Sequence, residues 1–475
     1  GINRSQVAQS YYYYFDANLF ELNPGDKIEY YFEVWDNDGV NGSKSSKTKV
    51  MAFKAPTVEE MNEATGKNNE EIKKDLDESI KKAKELQKEL DALSKKMNDK
   101  KQLGWEEKKK IEDILNKQKQ LEKKIDEVKQ ENQQNNQQQN EFSPQDESIV
   151  EKQKQLEKLM ENVMTPEMKK MFDELQKLID QMDKNQIQQK IEEMKLTNKD
   201  IEKELDRALE AFKQFEVEQK LQQAIDKLDE LVKKEEQLNK ETEGKKETEG
   251  KKDENKDDKK QDGKNQDGKN QDDKNKDNKD GKTPDSKELK EKQDDVAKEF
   301  DKLQEDLKEL DKKNAELEQP NKLPDTKEEE KKAEEGMENS SEQLAKNNKK
   351  NASKSQKEAK EEMEKMKKEM EEAQEEMEEK EEEDNAAALR QILENLLNLS
   401  FAQEDLIKTM GKTRVDNPQY TKIPQQQKKM QDDSKIIEDS LLALSKKEPK
   451  ISAIVNREIN AIHSNMQKTV QALAD

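Results

Sequence analysis

Three consecutive residues near the N-terminus carry the oxygen atoms that a hard cation prefers. Asp36, Asn37 and Asp38 are followed by Gly39 and Gly42, so their side chains stand in a segment built to turn. No glutamate follows at the spacing of an EF-hand, whose last ligand is a bidentate Glu. A polar hairpin turn is therefore the favoured interpretation, and a calcium site that uses Asp36 and Asp38 is the alternative.

Other residues that could do chemistry are scarce. The chain has no cysteine, which excludes thiolate nucleophiles, disulfides and Cys-based metal sites. It has a single histidine, His463. His463 lies among apolar residues at helical spacing, which favours a structural histidine over a metal ligand or a base. The sequence also lacks a phosphate-binding glycine loop and a nucleophile elbow. We expect a protein that is not an enzyme and that uses no cofactor.

Charge and composition bound the fold and the partners. The 475 residues include 91 Lys and Arg against 113 Asp and Glu, a net charge of −22 at pH 7. A nucleic-acid partner would need a basic face to neutralise its phosphates, so we expect none. Charged residues make up 43% and hydrophobic residues 28% of the chain. Interleaved charges of both signs are typical of solvent-exposed helices with i,i+4 ion pairs, so the expected fold class is mainly α.

Residues 1–55 have the composition of strands. Apolar residues alternate with polar ones from Lys27 to Trp35, as in a strand with one buried face. The Asn23-Pro24-Gly25 turn before Tyr30 is similar to the corner that precedes a strand of immunoglobulin-like sandwiches. Three or four strands are too few for a sandwich. The sequence therefore predicts a partial immunoglobulin- or fibronectin-like β domain whose first strands precede Gly1.

From residue 56 the hydrophobic period changes to that of helices, and residues 56–240 are predicted to form helical hairpins or a coiled coil. Thr57 is a candidate cap for the first helix. Gln118 is the polar exception in an otherwise apolar seam. The Asn/Gln tract from Gln130 to Asn140 carries no apolar residue, so it is predicted to be a loop or a frayed helix.

The remaining chain divides by composition into three segments. Residues 241–285 lose their apolar side chains, which predicts a disordered charged linker. Residues 286–384 are predicted to form extended acidic helices with a methionine stripe. That stripe is interpreted as a packing seam, with an adaptable partner surface as the alternative.

Residues 385–475 are predicted to form a C-terminal helical bundle that binds a protein partner. Its first helix has an apolar face wider than a two-stranded seam requires. The candidate partner-binding residues on this helix are Leu393, Leu397, Phe401 and Leu406. Apolar seams are satisfied equally by hairpins within one chain and by dimers, so a homodimer stays open.

Two segments resemble an uncharacterised, Bacteroidetes-type bacterial cell-envelope family. They are the run from Tyr30 to Gly42 and the run from Leu396 to Leu406. In that family membrane helices near the N-terminus precede an immunoglobulin-like region and a long Gln/Glu/Lys-rich helical region. The resemblance implies a periplasmic or cell-envelope location, with an inner-membrane anchor upstream of Gly1. It carries over no functional residues, because the family has no assigned activity.

The function expected from the sequence is a non-enzymatic envelope scaffold or spacer that binds protein partners through helical surfaces. Components of the envelope or of secretion machinery are the expected partners, and the membrane is reached only through the anchor. The alternative is a cytosolic coiled-coil protein of cytoskeletal or chaperone-like type.

Overall fold

The structure is a computed structural model, and it confirms that the chain is mainly helical. It describes residues 14, 20, 22–36, 38–40, 42–99, 104–142, 145–181, 183–244, 285–414, 417–448, 450–451 and 453–474. Most of the predicted linker therefore lies outside the described residues. The chain divides into two compact units, the first formed by residues 1–216 and 383–475 and the second by residues 217–382.

The β region of unit 1 is one antiparallel hairpin with an interruption. Its strands are β1 (Lys27–Tyr30), β2 (Glu33–Trp35), β3 (Ser45–Lys47) and β4 (Met51–Lys54). Ile28 lies opposite Phe53 in the β1–β4 pair, and Val34 lies opposite Ser46 in the β2–β3 pair. Between the two pairs, residues 48–50 oppose only residues 31–32, which is a β-bulge. The immunoglobulin-like character of this region stays a prediction.

Helices α1 (Val58–Asp99) and α2 (Trp105–Phe142) form an antiparallel hairpin. The first begins at a capping box, in which Thr57 Oγ1 accepts from the Glu60 amide at 3.1 Å and Glu60 Oε2 accepts from the Thr57 amide at 2.9 Å. The predicted cap at Thr57 is confirmed. Lys124 pairs with Asp75 at 2.5 Å, which fixes the register near the middle of the hairpin.

The Asn/Gln tract is helical as the end of α2, so the prediction of a loop or frayed helix was wrong. One face of this segment is buried and makes contacts with α1 and α3 (Glu147–Val163); its buried side chains are Asn132, Asn135, Asn136 and Gln139. Asn135 donates to Asn69 Oδ1 at 2.8 Å, and Gln153 of α3 donates to Gln139 Oε1 at 3.2 Å. Side-chain amides thus replace apolar contacts along this part of the helix, because the Asn135 and Gln139 side chains are paired with amides on facing helices.

Two further helices complete the N-terminal part of unit 1. Helix α4 (Pro166–Gln181) begins after Thr165, and α5 (Lys184–Glu243) begins after Asp183. Asp183 Oδ1 accepts from the amides of Asn185 and Gln186, at 3.0 and 3.2 Å, which stabilises the free donors of the first turn. One apolar core joins α1 to α4 with the first part of α5.

The described residues of unit 2 form a bundle of four helical segments. They are α5 from residue 217, α6 (Ser286–Ala315), α7 (Lys327–Ala345) and α8 (Lys349–Lys412) as far as residue 382. Met363, Met366 and Met370 are buried in its core, so the methionine stripe is a packing seam. A Cβ at Gly336 would lie 3.0 Å from the Cβ of Ala359, which shows how closely α7 and α8 approach.

A layer of hydrogen-bonded polar side chains crosses the interior of unit 2. Glu235 of α5 is fully buried, and its two carboxylate oxygens accept from Gln293 Nε2 of α6 at 3.1 and 2.9 Å. Gln293 Oε1 in turn accepts from Ser340 Oγ of α7 at 2.8 Å and from Gln356 Nε2 of α8 at 2.9 Å. Burial is the main reason that the pKa of Glu235 is raised to about 7.

The C-terminal part of unit 1 has its own apolar core. It joins α8 from residue 383 to α9 (Lys422–Lys447) and α10 (Ala453–Ala474), after a short 3₁₀ turn at Pro418–Thr421. The sequence predicted a domain boundary between residues 384 and 385. This position lies inside α8, two residues after the boundary between the two units at 382/383. The border at 216/217, inside α5, was not predicted, because a continuous helix carries no local break there.

Candidate partner-binding surface

A stripe of four apolar side chains lies exposed on the C-terminal part of α8. Leu389, Leu393, Leu397 and Phe401 are 41%, 52%, 58% and 61% exposed. They follow one another at four-residue steps, and each step advances about 40° around a helix of 3.6 residues per turn. The four side chains therefore form a continuous ridge, which we call the α8 stripe. Three of the four predicted partner-binding residues belong to it.

Leu406, the fourth predicted partner-binding residue, is 6% exposed and lies in the apolar core with α9 and α10. It is nine residues beyond Leu397, which is half a turn around the helix, so the two side chains point in opposite directions. Ile392 and Leu399 are buried on the same side as Leu406. The core-facing side of α8 is thus filled by its own bundle, and the α8 stripe is additional to that packing.

The hairpin of α9 and α10 is fixed to α5 by a cluster of buried polar groups, which we call the anchor cluster. Glu438 of α9 is 1% exposed and pairs with Lys203 of α5. Lys203 also donates to Asn460 of α10, whose side-chain amide donates to Asp200 Oδ1 of α5 at 2.5 Å. Burial raises the pKa of Asp200 to about 7 and lowers the pKa of Lys203. The three helices meet through charges that have little access to water.

Arg207 adds the most deeply buried contact of the anchor cluster. It has no exposed surface, and its guanidinium donates to the backbone carbonyl oxygens of Ser445, Glu448 and Ile451, at the turn between α9 and α10. Its charge is balanced by Glu204, 3.2 Å away on the same helix. The planar guanidinium group of arginine suits this site, since it offers five N–H donors in fixed directions.

Sequence reasoning missed the anchor cluster. The signal that could have revealed it is the spacing of Asp200, Lys203, Glu204 and Arg207, which places all four on one face of α5. In a chain rich in solvated charge, this spacing is also that of an ordinary exposed helix face. Only the packing of α9 and α10 on α5 distinguishes the two cases.

His463 lies beside a serine and a carboxylate, but not in a catalytic arrangement. Ser434 Oγ is 3.1 Å and Glu438 Oε2 is 3.9 Å from the same ring nitrogen, Nδ1. A catalytic triad instead places the hydroxyl and the carboxylate on opposite ring nitrogens. Ser434 is fully buried and donates to the carbonyl oxygen of Gln431 at 2.7 Å. Burial lowers the pKa of His463, and Lys199, Lys435 and Lys203 act in the same direction.

The carboxylates of Asp36 and Asp38 bond to the backbone of their own turn. Asp36 Oδ1 accepts from the amides of Asp38 and Lys44, at 3.2 and 2.9 Å, and Asp38 Oδ1 accepts from the Val40 amide at 3.0 Å. Within the described ranges, no group of three or more His, Cys, Asp or Glu residues could hold a metal ion. The two aspartates are thus used to close the turn between β2 and β3.

Comparison of the chain with protein-family models, with curated proteins and with solved structures found no match. Of the helices that the structure describes, none combines the length and the apolar character needed to cross a lipid bilayer. In the described part of the chain, the candidate functional site is the α8 stripe, where Leu393, Leu397 and Phe401 are each more than half exposed.

Proposed function

We propose that this protein is a non-enzymatic scaffold or spacer of the bacterial cell envelope, and that it binds a protein partner through the α8 stripe. The observation that carries the proposal is the exposure of Leu393, Leu397 and Phe401 on a helix whose other side already fills a core.

The physical argument concerns the contact of apolar surface with water. Burial of a Leu or Phe side chain is favourable by about 1.5–3 kcal/mol. A partner that covered a row of half-exposed Leu and Phe side chains would therefore gain a large part of this free energy on binding. Contiguous apolar patches on soluble proteins commonly mark interaction sites. A ridge of side chains along one helix fits the groove of another helix, which is a recurring mode of protein recognition.

The anchor cluster supports a scaffold role for this bundle. An exposed ridge keeps its shape only if the helices behind it stay in place. Arg207, Lys203 and Glu438 fix the α9–α10 hairpin through buried, directional contacts, which permit fewer alternative packings than apolar contacts do. The envelope location is proposed on the resemblance of residues 30–42 and 396–406 to the envelope family.

The test is photo-crosslinking in living cells that produce the protein at its native level. A photoreactive amino acid replaces Ser400, an exposed residue beside Leu397. We expect a crosslinked protein product in the envelope fraction, and we expect its loss in the variant Leu397→Glu. The matched control is Trp105→Glu at the start of α2, where the side chain is 74% exposed, and the product should be retained there.

Two results would count against the proposal. A product that is unchanged in Leu397→Glu would show that the α8 stripe is not the binding surface. Recovery of the protein and its product only from the soluble cytosolic fraction would favour the cytosolic coiled-coil alternative.

A further inference from the structure

Two exposed side chains of opposite charge lie beside the α8 stripe, at equal distances along the helix from Leu397. Arg390 lies seven residues before Leu397, and Glu404 lies seven residues after it. Seven residues are close to two helical turns, so both charged side chains lie on the same side of α8 as Leu397. Both residues are exposed. Glu404 has a weak ion pair with Lys408 on its own helix, at 3.6 Å.

This arrangement distinguishes the possible pairings of two copies of α8. In an antiparallel pair with its two-fold axis near Leu397, Arg390 of each copy comes within reach of Glu404 of the other. The same pairing brings the acidic residues Glu383 and Asp384 towards Lys412 of the opposite copy. In a parallel pair each of these charges would instead lie beside its own equivalent, and like charges at an interface oppose association.

We infer that the α8 stripe binds a second copy of this chain, and that the two α8 helices pack antiparallel with Leu397 near the two-fold axis. The inference rests on the proposed function, because it names the protein that the stripe binds. An isologous contact of this kind uses the same surface on both copies, so a single self-complementary stripe is sufficient. The apolar ridge supplies the attraction, and the charges select the direction.

The first experiment measures self-association of the purified full-length chain by sedimentation velocity over a range of concentrations. We expect a reversible dimer whose dissociation constant rises about tenfold in Arg390→Glu and in Glu404→Arg, since each change turns two symmetry-related attractions into repulsions. The double variant Arg390→Glu/Glu404→Arg restores both pairs with reversed sign, and it should recover most of the lost affinity. Trp105→Glu is the matched control and should dimerise as the unchanged chain does.

The second experiment determines the direction of the pair. Because the chain has no cysteine, a single introduced one reports on a single contact. Leu397→Cys should form a disulfide-linked dimer on mild oxidation. Ala386→Cys, at an exposed position, should not, since antiparallel packing about Leu397 separates its two copies by about 30 Å. A parallel pair would crosslink at both positions.

The outcomes separate this inference from the proposed function. Three results would overturn the antiparallel pairing. The chain could stay monomeric, the dimer could be unaffected by Leu397→Glu, or the single and double charge variants could behave alike. If the photo-crosslink at Ser400 then contains a different protein and is lost in Leu397→Glu, the proposed function stands and only the second copy is ruled out. Circular dichroism of each variant checks that the helices are intact.

Discussion

Replacement of Glu235 by glutamine should stabilise unit 2 at alkaline pH and leave it nearly unchanged in acid. Glu235 has no exposed surface, and in the described structure its carboxylate accepts hydrogen bonds from Gln293. Burial disfavours the charged form and raises the pKa to about 7 in the folded protein, from 4.5 for the free side chain. Glutamine has nearly the same shape, can still accept from Gln293, and carries no charge.

The sign of the pH dependence follows from proton linkage. The folded state binds the proton more tightly than the unfolded state, so the stability associated with protonated Glu235 is fully present below pH 4.5. It is lost as the pH rises through the folded pKa, and the loss is complete somewhat above pH 7. The difference between the two pKa values corresponds to about 3 kcal/mol. We therefore expect Glu235→Gln to exceed the unchanged protein in stability by about 3 kcal/mol at pH 8.5, and by little at pH 4.5.

The assay is urea denaturation at several pH values, followed by hydrogen exchange of peptides from α6 and α7, because both helices belong only to unit 2. Glu236→Gln is the matched control. Its carboxylate is 45% exposed, and hydrogen bonds from Lys240 and Lys360 hold its pKa below the usual value. A Glu235→Gln variant that is less stable than the parent at pH 8.5, or whose advantage does not change with pH, would refute the reasoning.

Two further substitutions test other parts of the interior. Gln118→Leu should raise the thermal midpoint of unit 1 and stabilise it by about 1–3 kcal/mol, because Gln118 is 1% exposed and neither amide atom has a hydrogen-bond partner within the described structure. A lower midpoint would mean that this amide is satisfied in solution. Arg207→Met should cost about 3–5 kcal/mol, since it leaves Glu204 buried without its cation, and it should accelerate hydrogen exchange in α9 and α10. Lys154→Met, at an exposed lysine of α3, is its control, and equal effects at both positions would contradict the anchor role.

Secondary structure was largely predictable, because it depends on patterns within a few residues. The cap at Thr57 and the change to a helical period at residue 56 both gave elements that the structure contains. The alternation from Lys27 to Trp35 indicated strands, but the single buried face expected there was wrong, because the strand is interrupted and Val34 is 55% exposed. The Asn/Gln tract was also predicted wrongly. Its helix is supported by amides on facing helices, and a pattern within the tract itself holds no information about those partners.

The candidate surface was predicted in part. The wide apolar face of α8 indicated that this helix contacts something besides one neighbour, and Leu393, Leu397 and Phe401 are indeed exposed. The spacing of nine residues between Leu397 and Leu406 could have shown that they face opposite ways. It could not have shown which of the two faces the bundle would cover, because the same side chains suit both a core and an interface.

The amino-acid sequence by itself determined that this chain is mainly helical and that a short β region precedes the helices. These properties follow from composition and from local periodicity. Only the tertiary structure decided which of the many charged and amide residues are buried, among them Arg207, Glu235 and Gln293. The reason is that a polar residue on a helix has the same local pattern whether it faces water or a partner, and its burial depends on hydrogen-bonding groups from distant parts of the chain.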